Sequence, residues 1–382
     1  MTPRRSKVLS IGFLAFLIGV AVVGFVVARS AQDAVLASQA GSFSEYSLDP
    51  TEPGFRAFTT ATPTALVIHS SVVRGEGAVL AGATLLAEGS SEGGGAVVTI
   101  PSTFVGSEGS DTLAELFRSE GLDAVTAAIS SSLRIGFSDV VVLDSAAWTT
   151  LMAEDLPLQL TVRNDLVESV DGGGTRVLLE AGTRQFNLIE VARLAAHRNP
   201  DEPSLQLALR QQQIWQSWIS RTAGAEERPE LFAIGSGFVE LIGSLANAEV
   251  AYRVLPTTTS GAVGGPASTT YAPDEQLVAD LISRIVPFPE IADIGDRPSV
   301  LLLDTSSGEV EQALVVSSIV RAGAYVTVLG NAEAGAERVT EVQLHDPAAS
   351  EAAQEIADAL GVGEPRLVQL EDATTAITVV TG

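Results

Sequence analysis

The sequence contains no cysteine and a single lysine, and these two absences exclude several kinds of chemistry. Without cysteine the chain forms no disulfide and offers no thiolate as nucleophile or metal ligand. The only lysine, Lys7, precedes a long apolar run, so the rest of the chain has no lysine to act as a base or form a Schiff base. The three histidines, His69, His197 and His345, are far apart and lack the spacing of a zinc-binding pair. We therefore expect no structural zinc and assign no metal-ligating residue.

Positive charge is also scarce. There are 22 lysines and arginines against 47 aspartates and glutamates, which gives a formal net charge of -25. A surface this acidic repels nucleic acid and other phosphate-rich polymers unless a divalent cation intervenes. We expect no nucleic-acid partner, and we interpret the acidic excess as halophilic or simply solubilising.

One segment near the N-terminus has no charged residue at all. Val8 to Ala28 is apolar and, at about 1.5 Å per helical residue, long enough to cross a hydrocarbon core of about 30 Å. Arg4, Arg5 and Lys7 precede it, so the positive-inside rule places residues 1–7 in the cytoplasm and the bulk of the chain outside. A cleaved signal peptide is the alternative, but its apolar region is usually only about 7 to 15 residues long. The pattern favours an uncleaved transmembrane helix and a single-pass, extracytoplasmic protein of the cell membrane.

The remainder of the chain alternates between β-prone and helical patterns, which predicts an α/β fold with a central mixed sheet. A Gly/Ser/Glu-rich turn, "GSSEGGG", predicts a hairpin early in this part. "PFPEIADIGDRP" contains three prolines and is the best candidate for a linker between domains. The smaller unit after it has a βαβ-type pattern. The predicted boundaries are a stalk over 29–63, a first domain over 64–286, a linker over 287–298 and a second domain over 299–382.

Three local predictions concern individual elements of the first domain. Ser110 or Asp111 is expected to cap a helix that follows it. Phe137 to Asp144 is a continuous apolar run, which is typical of a strand buried on both faces. In the helix predicted over 203–221, Leu207, Ile214 and Trp218 share one face, and the two tryptophans of that helix are expected to pack in the core.

Generic catalytic motifs are absent from the sequence. Neither a phosphate-binding loop nor a GxSxG nucleophile elbow occurs. Ser102 and Thr103 follow the predicted strand "AVVTIP", but no motif beside them supplies a base that would activate a hydroxyl. No residue is assigned a catalytic role on these grounds.

The order of the extracytoplasmic elements resembles a known family. "TIPSTF", "GFSDVVVLDSAAWTTLM" and "HRNPDEPSLQLALRQQQIWQSWI" follow one another as in the LytR-CpsA-Psr family of cell-envelope proteins. The final unit, which begins "VLLLDTSSGEVEQALVVSSIVRAG", looks like the LytR C-terminal domain of actinobacterial members. The resemblance extends over Thr64 to Gly382. It implies an α/β/α domain followed by a small α/β domain.

The resemblance also implies a chemistry. Family enzymes transfer glycopolymers from a polyprenyl-pyrophosphate carrier to peptidoglycan, and they hold the pyrophosphate with arginines and a divalent cation. The family pattern I-P-R-D matches Ile100 and Pro101, but Ser102 and Thr103 stand in place of its arginine and aspartate. A hydroxyl supplies one neutral donor and does not replace a guanidinium on phosphate.

A second family pattern, R-x-R followed by D-F-G-R-x-x-R-Q, is also only partly retained. Arg198, Arg210 and Gln211 match it, whereas the other charged positions are occupied by Ala196, Ser204 and Leu207. The resemblance therefore implies a candidate ligand pocket with the following residues: Ser102, Thr103, Arg198, Arg210 and Gln211. Helix arginines commonly pair with nearby carboxylates instead, and Gln211 is equally compatible with a solvated face.

Three hypotheses about function follow. The first is a non-catalytic cell-envelope factor that contacts polyprenyl-linked glycan, peptidoglycan or envelope proteins during cell-wall organisation. The second is an active glycopolymer phosphotransferase, which would require Mg²⁺ at the phosphate site. The third is a protein-interaction scaffold, which a core without an apolar tunnel favours. No cofactor is predicted unless phosphate binding is retained.

Overall fold

The computed structural model describes residues 52–73, 77–90, 93–107, 109–152, 157–170, 174–222, 236–262, 266–290, 297–304, 309–332, 340–368 and 374–382. The predicted transmembrane segment, 8–28, lies outside these ranges. Among the helices within them, none is both long enough and apolar enough to cross a membrane.

The described helices are α1 Leu113–Ser119, α2 Leu122–Leu133, α3 Ser145–Met152, α4 Leu188–Ala196, α5 Ser204–Ile219, α6 Ser236–Asn247, α7 Glu275–Ile285, α8 Glu309–Arg321 and α9 Ser350–Leu360. The strands up to the middle of the chain are β1 Arg56–Phe58, β2 Thr64–Val73, β3 Gly77–Ser90, β4 Gly93–Pro101, β5 Asp139–Leu143, β6 Leu158–Val162, β7 Leu166–Val170, β8 Gly174–Leu179 and β9 Gly182–Phe186. The later strands are β10 Val250–Val254, β11 Thr257–Ala262, β12 Thr269–Pro273, β13 Ser299–Asp304, β14 Tyr325–Asn331, β15 Glu341–Leu344, β16 Arg366–Leu367 and β17 Ile377–Thr381.

A five-stranded sheet with the order β10-β4-β3-β2-β5 forms the centre of the first half. Its β2, β3 and β4 are antiparallel neighbours, whereas β10 and β5 pair in parallel with β4 and β2. The predicted α/β class with a central mixed sheet is therefore confirmed, and so is the hairpin between β3 and β4.

Helices cover both faces of this sheet because alternate residues of its strands point to opposite sides. On β2, Ala65 and Val67 belong to one core, whereas Leu66 and Ile68 belong to the other. The first core is completed by α3, α4, α5 and α6, and the second by α1, α2 and α7. The arrangement is an α/β/α sandwich, and the candidate site lies on the side of α4 and α5.

The prediction that β5 is buried on both faces is wrong. Val140 and Val142 are each 40% exposed, whereas Val141 and Leu143 are buried. The reason is that β5 is the outermost strand next to β2, with one face on the first core and the other towards solvent. A short apolar run does not distinguish these two situations.

The predicted cap of α1 is displaced by one or two residues. Thr112, rather than Ser110 or Asp111, is the N-cap, and its Oγ1 accepts a hydrogen bond from the Glu115 amide. The Glu115 carboxylate in turn accepts from the Thr112 amide at 2.8 Å. This reciprocal capping box satisfies two helix-terminal amides, which explains why Thr112 is preferred.

The C-terminal part of the chain forms a six-stranded sheet, ordered β1-β14-β13-β17-β15-β16. Its central strands β14, β13 and β17 are parallel neighbours, and α8 and α9 supply the helical residues of its core. Arg56–Phe58, within the range predicted as a stalk, forms the edge strand β1 and pairs antiparallel with β14. Three two-stranded ribbons that the sequence analysis did not anticipate, β6-β9, β7-β8 and β11-β12, complete the described chain.

Candidate functional site

Ser102 and Thr103 form the turn that leaves β4 after Pro101. Ser102 is only 4% exposed, and its backbone carbonyl accepts a hydrogen bond from the Ala114 amide at 2.9 Å. No histidine, aspartate or glutamate of the described chain accepts a hydrogen bond from either hydroxyl. The turn therefore contains no activated nucleophile.

The Thr103 side chain holds the turn against two other elements. Its hydroxyl donates to the Thr269 carbonyl at 2.7 Å and lies 2.6 Å from the hydroxyl of Ser204, the first residue of α5. A threonine hydroxyl has one proton, which is used on Thr269, so Ser204 is the donor in the second bond. Thr103 thus connects β4 to β12 and to the start of α5.

Arg210 lies on α5 and makes internal contacts with all three of its guanidinium nitrogens. Nη1 donates to Glu202 Oε1 at 2.6 Å, Nε donates to the Leu194 carbonyl at 2.8 Å, and Nη2 donates to the His197 carbonyl. The side chains of Arg210 and Glu202 are only 13% and 6% exposed. The guanidinium is therefore neutralised from within the fold and ties the end of α4 to α5.

Gln211, the next residue, is completely buried. Its amide nitrogen donates to the Ala195 carbonyl at 2.8 Å, and its Oε1 has no hydrogen-bond partner among the described residues. A Cβ placed on Gly82 of β3 would lie 2.7 Å from that oxygen. Gln211 thus packs directly on the backbone of β3 and is not on a solvated face.

Arg198 differs from the other candidates because its side chain is exposed. It follows His197, whose carbonyl accepts from Arg210. Within the described ranges it makes no side-chain hydrogen bond or ion pair. Of the five predicted pocket residues, it is the one with a guanidinium available to an external ligand.

An aromatic cluster fills the interior next to Gln211. His69 on β2 stacks on Trp148 of α3 with ring centroids 5.5 Å apart and an interplanar angle of 12°. Trp215, one helical turn after Gln211, lies 5.4 Å from Trp148 and 5.5 Å from Trp218. All three indole rings are at most 1% exposed. The prediction that Trp215 and Trp218 pack in the core is confirmed.

His69 is the residue of this region that the sequence analysis did not assign to the site. It pairs in register with Gly82, which pairs in turn with Pro101, so His69, Gly82 and Pro101 form one row across the sheet. Its Nε2 lies 2.8 Å from the Thr84 hydroxyl, and burial lowers the pKa of the imidazole to about 3. The ring is neutral at physiological pH, and no spacing in the sequence signals its contact with tryptophans on other elements.

Several buried polar atoms of this region have no hydrogen-bond partner within the described ranges: His69 Nδ1, Trp148 Nε1, Trp215 Nε1 and Gln211 Oε1. They comprise two donors, one acceptor and one imidazole nitrogen, none of which is charged. Such a set suits neutral hydrogen-bonding partners such as water. It does not suit pyrophosphate, which requires cationic groups or a metal.

A separate cavity of about 470 Å³ lies beside β1 and β14 and includes none of the five candidate residues. Its lining includes Phe58, Phe288, Ser299, Tyr325 and Thr375. In the described residues, no group of three or more histidine, aspartate and glutamate side chains is arranged to hold a metal ion.

The sequence matches no protein-family model and no curated protein. Solved structures with a similar fold include TagT of B. subtilis, which is 16% identical and matches 64% of this chain and 96% of its own with a TM-score of 0.42. TagT with bound octaprenyl pyrophosphate lipid is likewise 16% identical, over 64% of this chain and 97% of its own, with a TM-score of 0.42. A LytR-Csp2A-Psr enzyme from Actinomyces oris is 16% identical over 60% of this chain and 93% of its own, with a TM-score of 0.40. Scores and identities this low carry no inference about function.

Proposed function

We propose that this chain is a non-catalytic protein of the cell envelope that takes part in organising cell-wall glycopolymers. In this proposal it is anchored by the apolar segment Val8 to Ala28 and carries an extracytoplasmic LytR-CpsA-Psr-like domain, followed by a LytR C-terminal-type domain. The motif order of the sequence supports the family resemblance, and the basic residues before the apolar segment support the orientation.

The observation that carries the non-catalytic assignment is the buried ion pair of Arg210 with Glu202. A transferase of the proposed family type needs guanidinium groups that are free to bind phosphate oxygens. Arg210 instead donates to one carboxylate and two backbone carbonyls and is screened from solvent. A phosphate at this position would have to displace Glu202, and the carboxylate would repel it.

The other predicted pocket residues support the same conclusion. The Thr103 hydroxyl is hydrogen-bonded to Ser204 and Thr269, and Gln211 packs against Gly82. Only Arg198 is available, and a single exposed guanidinium does not neutralise a pyrophosphate. Mg²⁺ would be required to supply the missing charge, and the hydroxyls of Ser102 and Thr103 are weak ligands for it.

The protein-interaction scaffold is a separate alternative to this proposal, and the aromatic cluster favours it. His69, Trp148, Trp215 and Trp218 occupy the interior beside α5 that a lipid chain would need. A closely packed core has few voids that admit another molecule. The protein would then act on the envelope through its surface rather than through a lipid-filled interior.

The experiment is a transfer assay with the full-length chain, a polyprenyl-pyrophosphate-linked glycan, peptidoglycan and Mg²⁺. We expect no glycan on the peptidoglycan, and the LytR-Csp2A-Psr enzyme from Actinomyces oris, assayed in parallel, serves as the positive control. The affinity for octaprenyl pyrophosphate is measured in parallel. We expect Arg198→Ala not to weaken it. Transfer that depends on Mg²⁺ and is lost in Arg198→Ala would overturn the proposal and establish the phosphotransferase alternative.

A further inference from the structure

Two arginines, Arg134 and Arg297, lie where three segments of the chain meet. Arg134 directly follows α2, and Arg297 lies two residues before β13. The Pro298 carbonyl accepts from the Tyr325 amide at 3.1 Å, which brings Arg297 to the turn between α8 and β14. Arg134 Nη1 reaches the same turn, 3.6 Å from the position of a Cβ on Gly323. Both arginines therefore lie at one junction.

Among the described residues, the positively charged side chain of Arg297 has no hydrogen-bond partner at this junction. Its Nη1 and Nη2 are both buried, and neither has an acceptor in the part of the chain that the structure describes. Burial, followed by the nearby positive charge of Arg134, lowers the pKa of Arg297 to about 10. The group thus remains protonated at neutral pH, and a buried cation without an acceptor is strongly unfavourable.

The junction differs from five other places in the described chain, where an arginine pairs with a carboxylate. In the described ranges, neither Arg134 nor Arg297 forms an ion pair, although acidic residues outnumber basic ones by 47 to 22 in the sequence. The five arginines that do pair with a carboxylate form the pairs Arg176–Glu168, Arg184–Glu190, Arg210–Glu202, Arg321–Asp280 and Arg366–Glu341. Arg134 and Arg297 are instead two neighbouring guanidinium groups that no carboxylate of the described ranges pairs with.

The backbone at Arg134 is also unusual. Its φ of 55° is left-handed, a conformation that disfavours a side chain, and no other non-glycine residue within the described part of the chain has a positive φ. Hydrogen bonds from its amide to the Ser130 and Ser131 carbonyls hold this conformation at the end of α2. The strained cap directs the arginine towards the junction, where Gly323 leaves room for it.

We propose that Arg134 and Arg297 form a binding site for a phosphoryl oxyanion, either a free phosphate or the phosphodiester of a polymer. Planar guanidinium groups bind phosphate oxygens in pairs, and a tetrahedral oxyanion presents enough oxygens to engage two of them. The bound anion supplies the acceptors that Arg297 lacks and separates two like charges. The partial negative charge at the end of α8 favours the two cations but supplies no acceptor to Arg297. This site goes beyond the proposed function and does not depend on it.

The test is a titration of the full-length chain with inorganic phosphate and, separately, with dimethyl phosphate at constant ionic strength. Isothermal calorimetry gives the affinity, and the unfolding temperature gives a second readout, because a ligand that binds only the folded state stabilises it. We expect inorganic phosphate to raise the unfolding temperature by a few degrees at saturation. Stronger binding of dimethyl phosphate would identify the phosphodiester as the preferred source, and stronger binding of inorganic phosphate would identify the free anion.

Single substitutions test whether phosphate binds at Arg134 and Arg297. Arg134→Gln, an exposed change that leaves the core intact, should weaken phosphate binding about tenfold or more, and Arg297→Gln should abolish it. Arg163→Gln is the matched control, because Arg163 is exposed, makes no ion pair within the described ranges and changes the net charge equally. An equal response of all four proteins, or no response in the unaltered chain, would overturn the site and indicate that the chain itself neutralises the two arginines.

Discussion

Arg210 and Glu202 form a buried ion pair in which Nη1 lies 2.6 Å from Oε1. The Glu202 carboxylate also accepts a hydrogen bond from the Asn199 amide at 2.9 Å. The guanidinium donates hydrogen bonds to two carbonyls at the end of α4. The pair therefore fixes the connection between α4 and α5. Arg210, one of the two arginines predicted for the candidate pocket, therefore has a structural role.

The first prediction concerns the stability of this connection. Arg210→Ala should lower the free energy of unfolding by about 3 to 5 kcal/mol, because it leaves the Glu202 charge buried without a partner. The matched control is Arg184→Ala, which breaks the more exposed pair with Glu190 and should lower it by less than about 1 kcal/mol. Denaturant unfolding followed by circular dichroism measures both values.

A double variant separates the ion pair from packing. Replacing Arg210 with Met and Glu202 with Leu together should recover most of the stability lost in the single variants, since no unpaired charge remains. A loss in Arg210→Ala no larger than in Arg184→Ala would contradict the structural role assigned to Arg210.

The second prediction concerns Gly82, on which Gln211 packs. A Cβ there would lie 2.7 Å from Gln211 Oε1 and 3.2 Å from the Ile100 carbonyl, so Gly82→Ala should lower the free energy of unfolding by about 1 to 3 kcal/mol. Gly363→Ala is the control because a Cβ there meets nothing within 4 Å, and it should be neutral or slightly stabilising. Unfolding curves of the three proteins provide the comparison.

Adding Gln211→Ala to Gly82→Ala tests the contact directly. The double variant should lose less stability than the sum of the two single changes, because the closest clash is removed. Additive losses would show that the two residues do not touch.

Much of this framework was predictable from sequence, but the contacts that decide the site were not. The face formed by Leu207, Ile214 and Trp218 follows helical spacing and is buried as expected. Glu202 lies eight residues before Arg210 and outside α5, so no helical spacing pairs them. His69 and Trp148 are brought together only when β2 and α3 pack on the same core.

One of the unanticipated β-ribbons, β6-β9, has a similar explanation. Strands β6 and β9 pair across a long sequence separation, with β7 and β8 between them, so no single turn marks the pairing. The residues that leave β4, Ser102 and Thr103, are predictable from the sequence. Their environment depends on Ser204 and Thr269, which approach from distant parts of the chain.

The third prediction concerns Asp139, at the start of β5. Burial first, and then the negative charges of Glu290 and Glu240, raise the pKa of this carboxyl. The folded state therefore binds the proton more readily than the unfolded state, and ionisation of Asp139 at neutral pH destabilises the fold. Asp139→Asn should raise the free energy of unfolding at about pH 7 by up to about 1 kcal/mol, and the gain should fade as acid protonates Asp139.

Asp201→Asn is the control for the net charge, because Asp201 is exposed and the substitution removes the same unit of charge. If both variants are stabilised equally, the effect arises from the overall charge of -25 and not from the surroundings of Asp139.

The fourth prediction concerns His69 and the response of the fold to acid. The unfolded chain binds a proton on this residue below its ordinary pKa of 6.5, whereas the folded chain does so only near pH 3. The neutral ring therefore contributes its full stability above pH 6.5, and that contribution is lost as the pH falls towards 3. Between about pH 7 and about pH 5, His69 alone should lower the free energy of unfolding by about 2 kcal/mol.

His69→Phe keeps a ring stacked against Trp148 but removes the titrating group, so the variant should lose about 2 kcal/mol less than the unaltered chain over the same interval. The comparison between the two proteins is needed because the carboxylates of this acidic chain titrate in both. Proton NMR supplies an independent measurement, since the His69 ring resonance should stay constant down to about pH 4. A ring that titrates near its ordinary pKa would mean that water reaches the aromatic cluster, and the interior beside α5 would then have room for a ligand after all.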